Sequence, residues 1–380
     1  LERDVDPGTI KSPVKKVRVR LATSDDDAGI RQLLRQQAVG GAVRIATCRE
    51  PRLQDSLDVE GDRQTVLVGE HLPTEQIIGC GCRTVRKLWI DGQVRRVGYM
   101  GLLRRDPTLM GHVRLFRDGV AICQAERMED ELDFDLTSLV SDNHSARRIL
   151  ASGLRQLPTY AMYAELDSMI FTSRRILGLR EKTDVVIRTG TPELLPEIAD
   201  FLGEEHSQYQ FAPYWSAQML KCPTQARNLK PSDFVLAYRD QKLAGVMAVW
   251  DQRGYKQSVI DSYSPQFARW RWAMNLAAKV AGRPTFPAAG QTLNLAFISH
   301  WAVADNDTQV IKQLIRHVRH QAKQRQIELL LMTVACDRPD YLIFKRMIKG
   351  VSYFSQLYLV YEGDAPDLEE RSTYVEAALL

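Results

Sequence analysis

The sequence predicts an α/β protein with mixed sheets, built as two related domains in tandem. Three observations carry this. The chain has 380 residues, enough for two or three domains at roughly 100–200 residues each. It is 44% hydrophobic, so each domain can bury a core. One order of strands and helices is also spelled out twice, which fixes the number of domains at two.

In the first half, Val17–Leu21 alternates like a strand. Thr23-Ser24-Asp25 then offers a helix cap, and Ile30, Leu33 and Leu34 give helical spacing up to Gly40-Gly41. Thr65–Val68, Gln76–Ile90 and Val94–Leu103 read as a meander, with Asp91-Gly92 as a tight-turn signal. A long helix over His112–Leu132, a strand over Phe134–Val140, a short helix over Ser145–Ala151 and a strand over Thr159–Ile170 complete it.

The second half repeats the order. Val185–Arg188 is the opening strand, and Thr191-Pro192-Glu193 starts a helix with proline in its first turn. Phe234–Ala237, Leu243–Trp250 and Gln291–Ile298 supply the meander. Thr308–Gln324, Glu328–Val334, Tyr341–Met347 and Tyr353–Tyr361 then give helix, strand, helix, strand. The expected division is a polar tail over 1–15, one domain over 16–178 and a second over 184–380. An insertion of the second domain covers about 252–290. Within it Phe267, Trp270, Met274 and Ala277 fall on one helix face, and a core-packing role is expected, with a substrate wall as the sharper alternative.

The 51 Lys+Arg against 47 Asp+Glu leave a net charge of +4, without the concentrated basic stripe of a nucleic-acid binder. No run of about 18 apolar residues spans a membrane. Neither nucleic acid nor a membrane is therefore expected as a partner. Six scattered cysteines fit free thiols in a reducing cytoplasm, and the polar residues after Leu1 resemble no signal peptide, so a cytoplasmic protein is expected. Cys80 and Cys82 lack a second Cys or His pair at zinc spacing, and no metal site is expected.

Two local patterns sharpen the fold. Val97–Val113 runs strand, turn and helix, and Leu136–Leu150 places Asn143 and Ala146 three apart. With the element order, these resemble the GNAT acyltransferase superfamily. Leu157-Pro158-Thr159-Tyr160 resembles a subgroup with two tandem GNAT domains, the second degenerate. The match covers about residues 16–172; the second half matches in element order. The resemblance implies a mixed, mostly antiparallel sheet flanked by helices in each half. It also implies acetyl-coenzyme A (acetyl-CoA) as cofactor and a small-molecule or peptide amine as acceptor, hence an N-acetyltransferase.

A helix N-terminus offers unpaired N–H groups and a positive dipole end to the coenzyme's pyrophosphate. In the resembling family the turn before that helix reads Arg/Gln-x-x-Gly-x-Gly/Ala. Here Met110, Val113 and Leu115 stand at its three defining positions, and Gly111 is the glycine that remains. Arg104, Arg105, His112, Arg114 and Arg117 flank the helix start. The expected cofactor-binding residues are Leu103, Arg104, Met110, Gly111, His112, Val113, Arg114, Leu115 and Asn143. Asn143 either holds the pantetheine arm or caps the helix after it. In the second half, Ala304-Asp305-Asn306-Asp307-Thr308 has no glycine and sets aspartates where an anion would bind, so only the first half is expected to take the coenzyme.

Transfer to an amine needs a base for the ammonium proton and an acid for the leaving thiolate. The family's tyrosine, seven residues after the asparagine, is replaced by Leu150. Tyr160 is the expected acid and Tyr163 the alternative, with a core or sheet role as the other reading of both. Glu126, Glu129 and Glu165 are possible bases. The alternative is a catalytically silent GNAT-fold binding or regulatory protein, motivated by Met110, Val113, Leu115 and Leu150. His317 and His320 read as a solvated basic face, and His300 as a structural histidine. The Tyr209, Phe211, Tyr214 and Trp215 cluster reads as packing, or as an inter-domain wedge or pocket.

Overall fold

The computed structural model describes residues 17–38, 40–106, 113–143, 147, 157–174, 183–280 and 285–380. The first half contains β1 (Val17–Leu21), α1 (Asp27–Gln36), β2 (Val43–Cys48), α2 (Leu53–Glu60) and β3 (Arg63–His71). It continues with β4 (Gln76–Ile90), β5 (Gln93–Arg105), α3 (Val113–Ala125), β6 (Glu131–Val140) and β7 (Thr159–Thr172). The second half contains β8 (Val186–Thr189), α4 (Leu195–His206), α5 (Ala217–Lys221), β9 (Phe234–Arg239), β10 (Lys242–Trp250) and β11 (Gln257–Tyr263). After these come α6 (Pro265–Val280), β12 (Leu295–Val303), α7 (Thr308–Gln324), β13 (Leu329–Ala335), α8 (Tyr341–Met347) and β14 (Val351–Tyr361).

Local chemistry explains many of these boundaries. Asp91 and Gly92 both have positive φ, 52° and 74°, as a two-residue hairpin turn requires. Helix α7 buries Val310, Ile311, Leu314, Ile315, Val318 and Ala322, a stripe at helical spacing. Helix α3 stops at Ala125, short of the Leu132 expected from the sequence. The chain from Glu131 belongs to β6 because the Glu131 carboxylate is held by Arg63 and Arg83, at 2.7 Å each.

A single twelve-stranded sheet runs through both halves in the order β1-β3-β4-β5-β6-β14-β7-β13-β12-β10-β9-β8. Strand β14 of the second half lies between β6 and β7, and β7 of the first half lies between β14 and β13. Each half therefore ends by handing its last strand to the other. Pairing within this sheet is antiparallel except for β5 with β6 and β12 with β13. A second small sheet, β2 with β11, also ties the halves together; neither strand was legible from the sequence.

The core follows the exchange. Met169 and Phe171 of β7 pack with Leu314 and Val318 of α7, whereas Leu166 of the same strand packs with Leu88, Val97 and Leu136. Each such side chain, fully buried, contributes about 1.5–3 kcal/mol. At Gly98 an added Cβ would lie 2.2 Å from Asp135 Oδ1 and 2.6 Å from Arg83 Nε. The missing side chain is what lets the buried Arg83–Asp135 pair, 2.8 Å apart, lie against β5.

The insertion corrects one expectation. Helix α6 has no buried residue; Trp270 is 62% exposed, so the face expected to pack into a core does not. Its attachment is narrower: Phe267 stacks on Tyr263 at 5.3 Å and meets Phe286 edge-on at 5.0 Å.

Candidate active site

Strand β5 carries a bulge near its carboxyl end. Cys82 pairs with Gly101 and Cys80 with Arg104, so Leu102 and Leu103 together oppose one residue, Gly81. Leu102 takes the left-handed conformation, φ 52°, and its carbonyl accepts a bond from Cys80 Sγ at 3.3 Å. The parallel pairing of β5 with β6 runs from Arg96–Glu131 to Tyr99–Leu136. Beyond it the links are through side chains: Thr137 Oγ1 donates to the Met100 carbonyl at 2.8 Å, and the Tyr99 and Ser138 hydroxyls lie 2.6 Å apart. Strand β5 continues to Arg105, while β6 stays paired with β14 on its other side as far as Val140. Two parallel strands thus part at their carboxyl ends, where open α/β sheets bind ligands and where an extended arm can use backbone groups.

The structure gathers part of the expected set here. Leu103 sits in the bulge, 57% exposed. Arg104 follows, donating to the Leu103 carbonyl at 2.9 Å, and burial lowers its pKa. Val113 opens α3, followed by Arg114 and a half-buried Leu115. The side chains of Val113 and Arg114, together with Met110, Gly111 and His112, lie outside the described residues. Asn143 occupies the turn after β6; its N–H donates to the Val140 carbonyl, and its own carbonyl accepts from Arg147 at 3.1 Å. Tyr160 stands on β7 and stacks on Phe116 of α3 at 6.4 Å, where burial raises its pKa. Tyr163 instead meets Phe211 edge-on at 4.9 Å.

The bases considered from the sequence are elsewhere. Glu126 and Glu129 precede β6, at the amino end of the strand and away from the gap, and Glu126 pairs with Arg63 at 3.7 Å. Glu165 is exposed on β7.

The second half repeats the geometry and then closes it. Ala302 pairs with Val246 and Ser299 with Ala248, so His300 and Trp301 form the bulge, and His300 has φ 48°. Strands β12 and β13 pair over Leu295–Phe297 with Leu329–Leu331. Here the chain's own segment Glu376–Leu379 moves in. Glu376 Oε2 accepts the His300 N–H at 2.8 Å, and Ala377 packs with Leu295 and Leu331. Gln252 and Lys256 donate to the Ala378 carbonyl, at 3.1 and 3.3 Å, and Arg86 to that of Leu379 at 2.6 Å. At the following helix, Asp307 accepts from the Gln309 and Val310 N–H groups at 2.8 and 3.1 Å. The donors an anion would need are already used.

The same segment borders a small cavity of the first half. A cavity of about 20 Å³, room for one water, is lined by Arg86, Tyr99, Leu136, Phe211, Leu357 and Glu376 among others. Glu376 is buried, and its Oε2 also accepts from the Tyr374 hydroxyl at 3.2 Å. Its Oε1 is buried without a hydrogen-bond partner. Burial raises this carboxyl to about 7, against the His300 and Ala378 N–H groups, the Tyr374 hydroxyl and the Arg86 charge, which all lower it. Burial also raises the Tyr99 phenol. Sequence reading missed Arg86, Tyr99 and Glu376. Tyr99 lies inside the Val97–Val113 pattern, whereas Glu376 follows strand β14 with no local pattern to mark it. A larger cavity, about 480 Å³ and lined by Asp91, Asp133, Glu362 and Asp364, lies at the amino ends of β5 and β6, remote from the gap.

Other expectations resolve by packing. Phe211 of the second half packs edge-on against Phe134 and Tyr163 of the first, and Trp215 packs with Trp250 and His300. His300 is buried and bonded to Ser299 Oγ at 3.0 Å, and burial lowers it to about 3. The helix face of His317 and His320 is less solvated than expected, since Arg319 is buried over the Phe171 ring at 4.9 Å.

No protein-family model and no curated protein sequence matches the chain. Solved structures do. Saccharomyces cerevisiae N-myristoyltransferase with bound myristoyl-CoA aligns at TM-score 0.56 and 10% identity, over 94% of this chain and 89% of that one. A GCN5-related N-acetyltransferase from Sphaerobacter thermophilus aligns at TM-score 0.54 and 13% identity, over 90% and 95%. A GCN5-related glucosamine N-acetyltransferase region of a fungal multi-domain β-N-acetylglucosaminidase aligns at TM-score 0.59 and 12% identity, over 91% of this chain and 38% of that one.

Proposed function

Because the chain has the fold of the GNAT acyltransferases, we propose that it is an acyl-CoA-dependent N-acyltransferase, transferring acetyl from acetyl-CoA to a small-molecule or peptide amine. The observation that supports this most is the bulge at Leu102, set where β5 and β6 part. The chain reads as two repeats, 16–178 and 184–380, of which the first takes the donor.

The residues at the gap fit such a group. The pantetheine arm would lie along Leu103, with Asn143 at its far side. Arg104 and the start of α3 at Val113 would face the phosphates. The donor supplies an activated thioester carbonyl. Glu376 Oε1 takes the proton of the acceptor ammonium, directly or through one water in the adjoining cavity. As the new C–N bond forms and the C–S bond breaks, a phenol returns a proton to the departing sulfur. Tyr160 is the donor expected from the sequence. Tyr99 is favoured because it lines the cavity of Glu376 and is held by Ser138.

Calorimetric titration with acetyl-CoA tests this. Binding at or below ~1 mM, about −4 kcal/mol, is expected; no binding at that concentration overturns it. Binding without turnover on any amine favours the second reading, a silent GNAT-fold regulator, which Met110, Val113 and Leu115 motivate.

A further inference from the structure

The insertion presents an apolar helix to solvent, and the one acid of the insertion, Asp261 before the helix, pairs with Arg44 at 3.6 Å. Helix α6, Pro265–Val280, holds to the protein through Phe267, Arg271 and Asn275, spaced four apart along one face. Arg271 donates to the Phe286 and Pro287 carbonyls at 3.1 and 3.0 Å, and Asn275 exchanges two bonds with Phe286. At about 100° per residue, Trp272, Leu276 and Val280 fall on the far side. They are 69%, 58% and 84% exposed, and Trp270, 62% exposed, lies to one side of the helix, about 80° round from Val280. Arg269 and Lys279 are exposed near the two ends of the same outward seam.

We propose that helix α6 is a docking surface for an anionic lipid bilayer, lying in the plane of the interface with Trp272, Leu276 and Val280 inserted.

Charge, indole placement and symmetry select this occupant. Residues 262–304 contain no Asp or Glu, although the whole chain has 47, so every charge on the helix is positive and complements anionic headgroups. Indole rings between apolar and basic side chains suit the headgroup boundary. A second copy of the chain fits poorly, because a two-fold contact would set Arg269 and Lys279 against their own counterparts. The helix also lies on the membrane rather than crossing it. Its 16 residues are about 24 Å long, against roughly 30 Å of hydrocarbon. The lack of a membrane-spanning run, from which no membrane partner was expected, does not bear on such surface binding.

Co-sedimentation of the full chain with vesicles tests this. Vesicles of phosphatidylcholine mixed with phosphatidylglycerol should bind at least about tenfold more tightly than phosphatidylcholine alone, and added salt should weaken them. The Trp272→Ser/Leu276→Ser/Val280→Ser variant should lose at least about tenfold with its melting temperature unchanged, since these side chains touch no core. Arg269→Glu/Lys279→Glu should lose a similar factor. Brominated lipid should quench the tryptophan emission, and Trp270→Phe/Trp272→Phe should remove that quenching, because Trp215, Trp250 and Trp301 are buried and Trp89 is half-buried against the core. Binding that is absent, or indifferent to all three variants, overturns the proposal. So does a dimer that the triple-serine variant dissociates, which would assign the face to a second copy.

Discussion

Leu102 in β5 and His300 in β12 occupy matching places. Each is left-handed, at φ 52° and 48°, in a bulge on the strand where a parallel pair begins to part. In the second half Glu376–Leu379 lies against the parted strands, and Asp307 takes the helix N–H groups. In the first half, the residues around the bulge are arginines and exposed Leu103. The comparison teaches that a bulge and a gap do not make a ligand site; what the chain itself puts there decides. Here the segment that closes one gap carries the carboxyl that lines the cavity beside the other.

The largest expected effect separates those two roles of Glu376. Glu376→Gln should lower kcat/KM by about 10²–10⁴ if the residue is the proton acceptor. If it serves only to close the second half, the variant will show a lower melting temperature and unchanged turnover. The pH profile adds a check. With the carboxyl raised to about 7, activity should climb as pH rises through that value, and the Gln variant should lose the step. Stability should move the other way. A raised folded pKa favours the folded state below the ordinary value of 4.5, and that contribution is lost as pH rises toward 7.

Next come two strand glycines, Gly98 on β5 and Gly245 on β10. Gly98→Ala should cost about 3–5 kcal/mol, because the new Cβ would displace the buried Arg83–Asp135 pair. Gly245→Ala meets Val310 Cγ1 at 2.6 Å and Leu314 Cδ1 at 2.9 Å, apolar atoms that can shift, for about 1–3 kcal/mol. Denaturant melts that reverse this order would show that the polar network under α3 is looser than its geometry. The smallest effect sharpens the comparison at the helix starts. Asp307→Ala should cost about 0.5–2 kcal/mol in melts and leave acetyl-CoA affinity unchanged. Tighter coenzyme binding in that variant would mean that the second half is a masked site.

Much of the fold was legible because it rests on local rules. The Asp91-Gly92 hairpin, the boundaries of α7 at Thr308–Gln324 and of α8 at Tyr341–Met347, and the repeated strand order all follow from turn chemistry and periodicity. Helix α6 misled for a related reason. Phe267, Trp270, Met274 and Ala277 have the spacing of a buried face, but periodicity marks an apolar side without saying what covers it. Strands β2 and β11 escaped notice because each is short and stabilised by the other across more than 200 residues of chain.

The candidate site divides in the same way. Leu103, Arg104 and Asn143 lie in contiguous patterns, so a sequence can point to them. Arg86, Tyr99 and Glu376 come together from β4, β5 and the segment after β14, and nothing local links them. The sequence by itself determined one α/β element order written twice, and its aspartates led to the expectation that the first half takes the donor. Tertiary structure alone decided that the halves exchange their last strands, that the second gap is closed by Glu376–Leu379, and that this closure places a buried carboxyl beside the first. The reason is physical: pairing and burial between distant segments depend on where the chain returns, which no local pattern encodes.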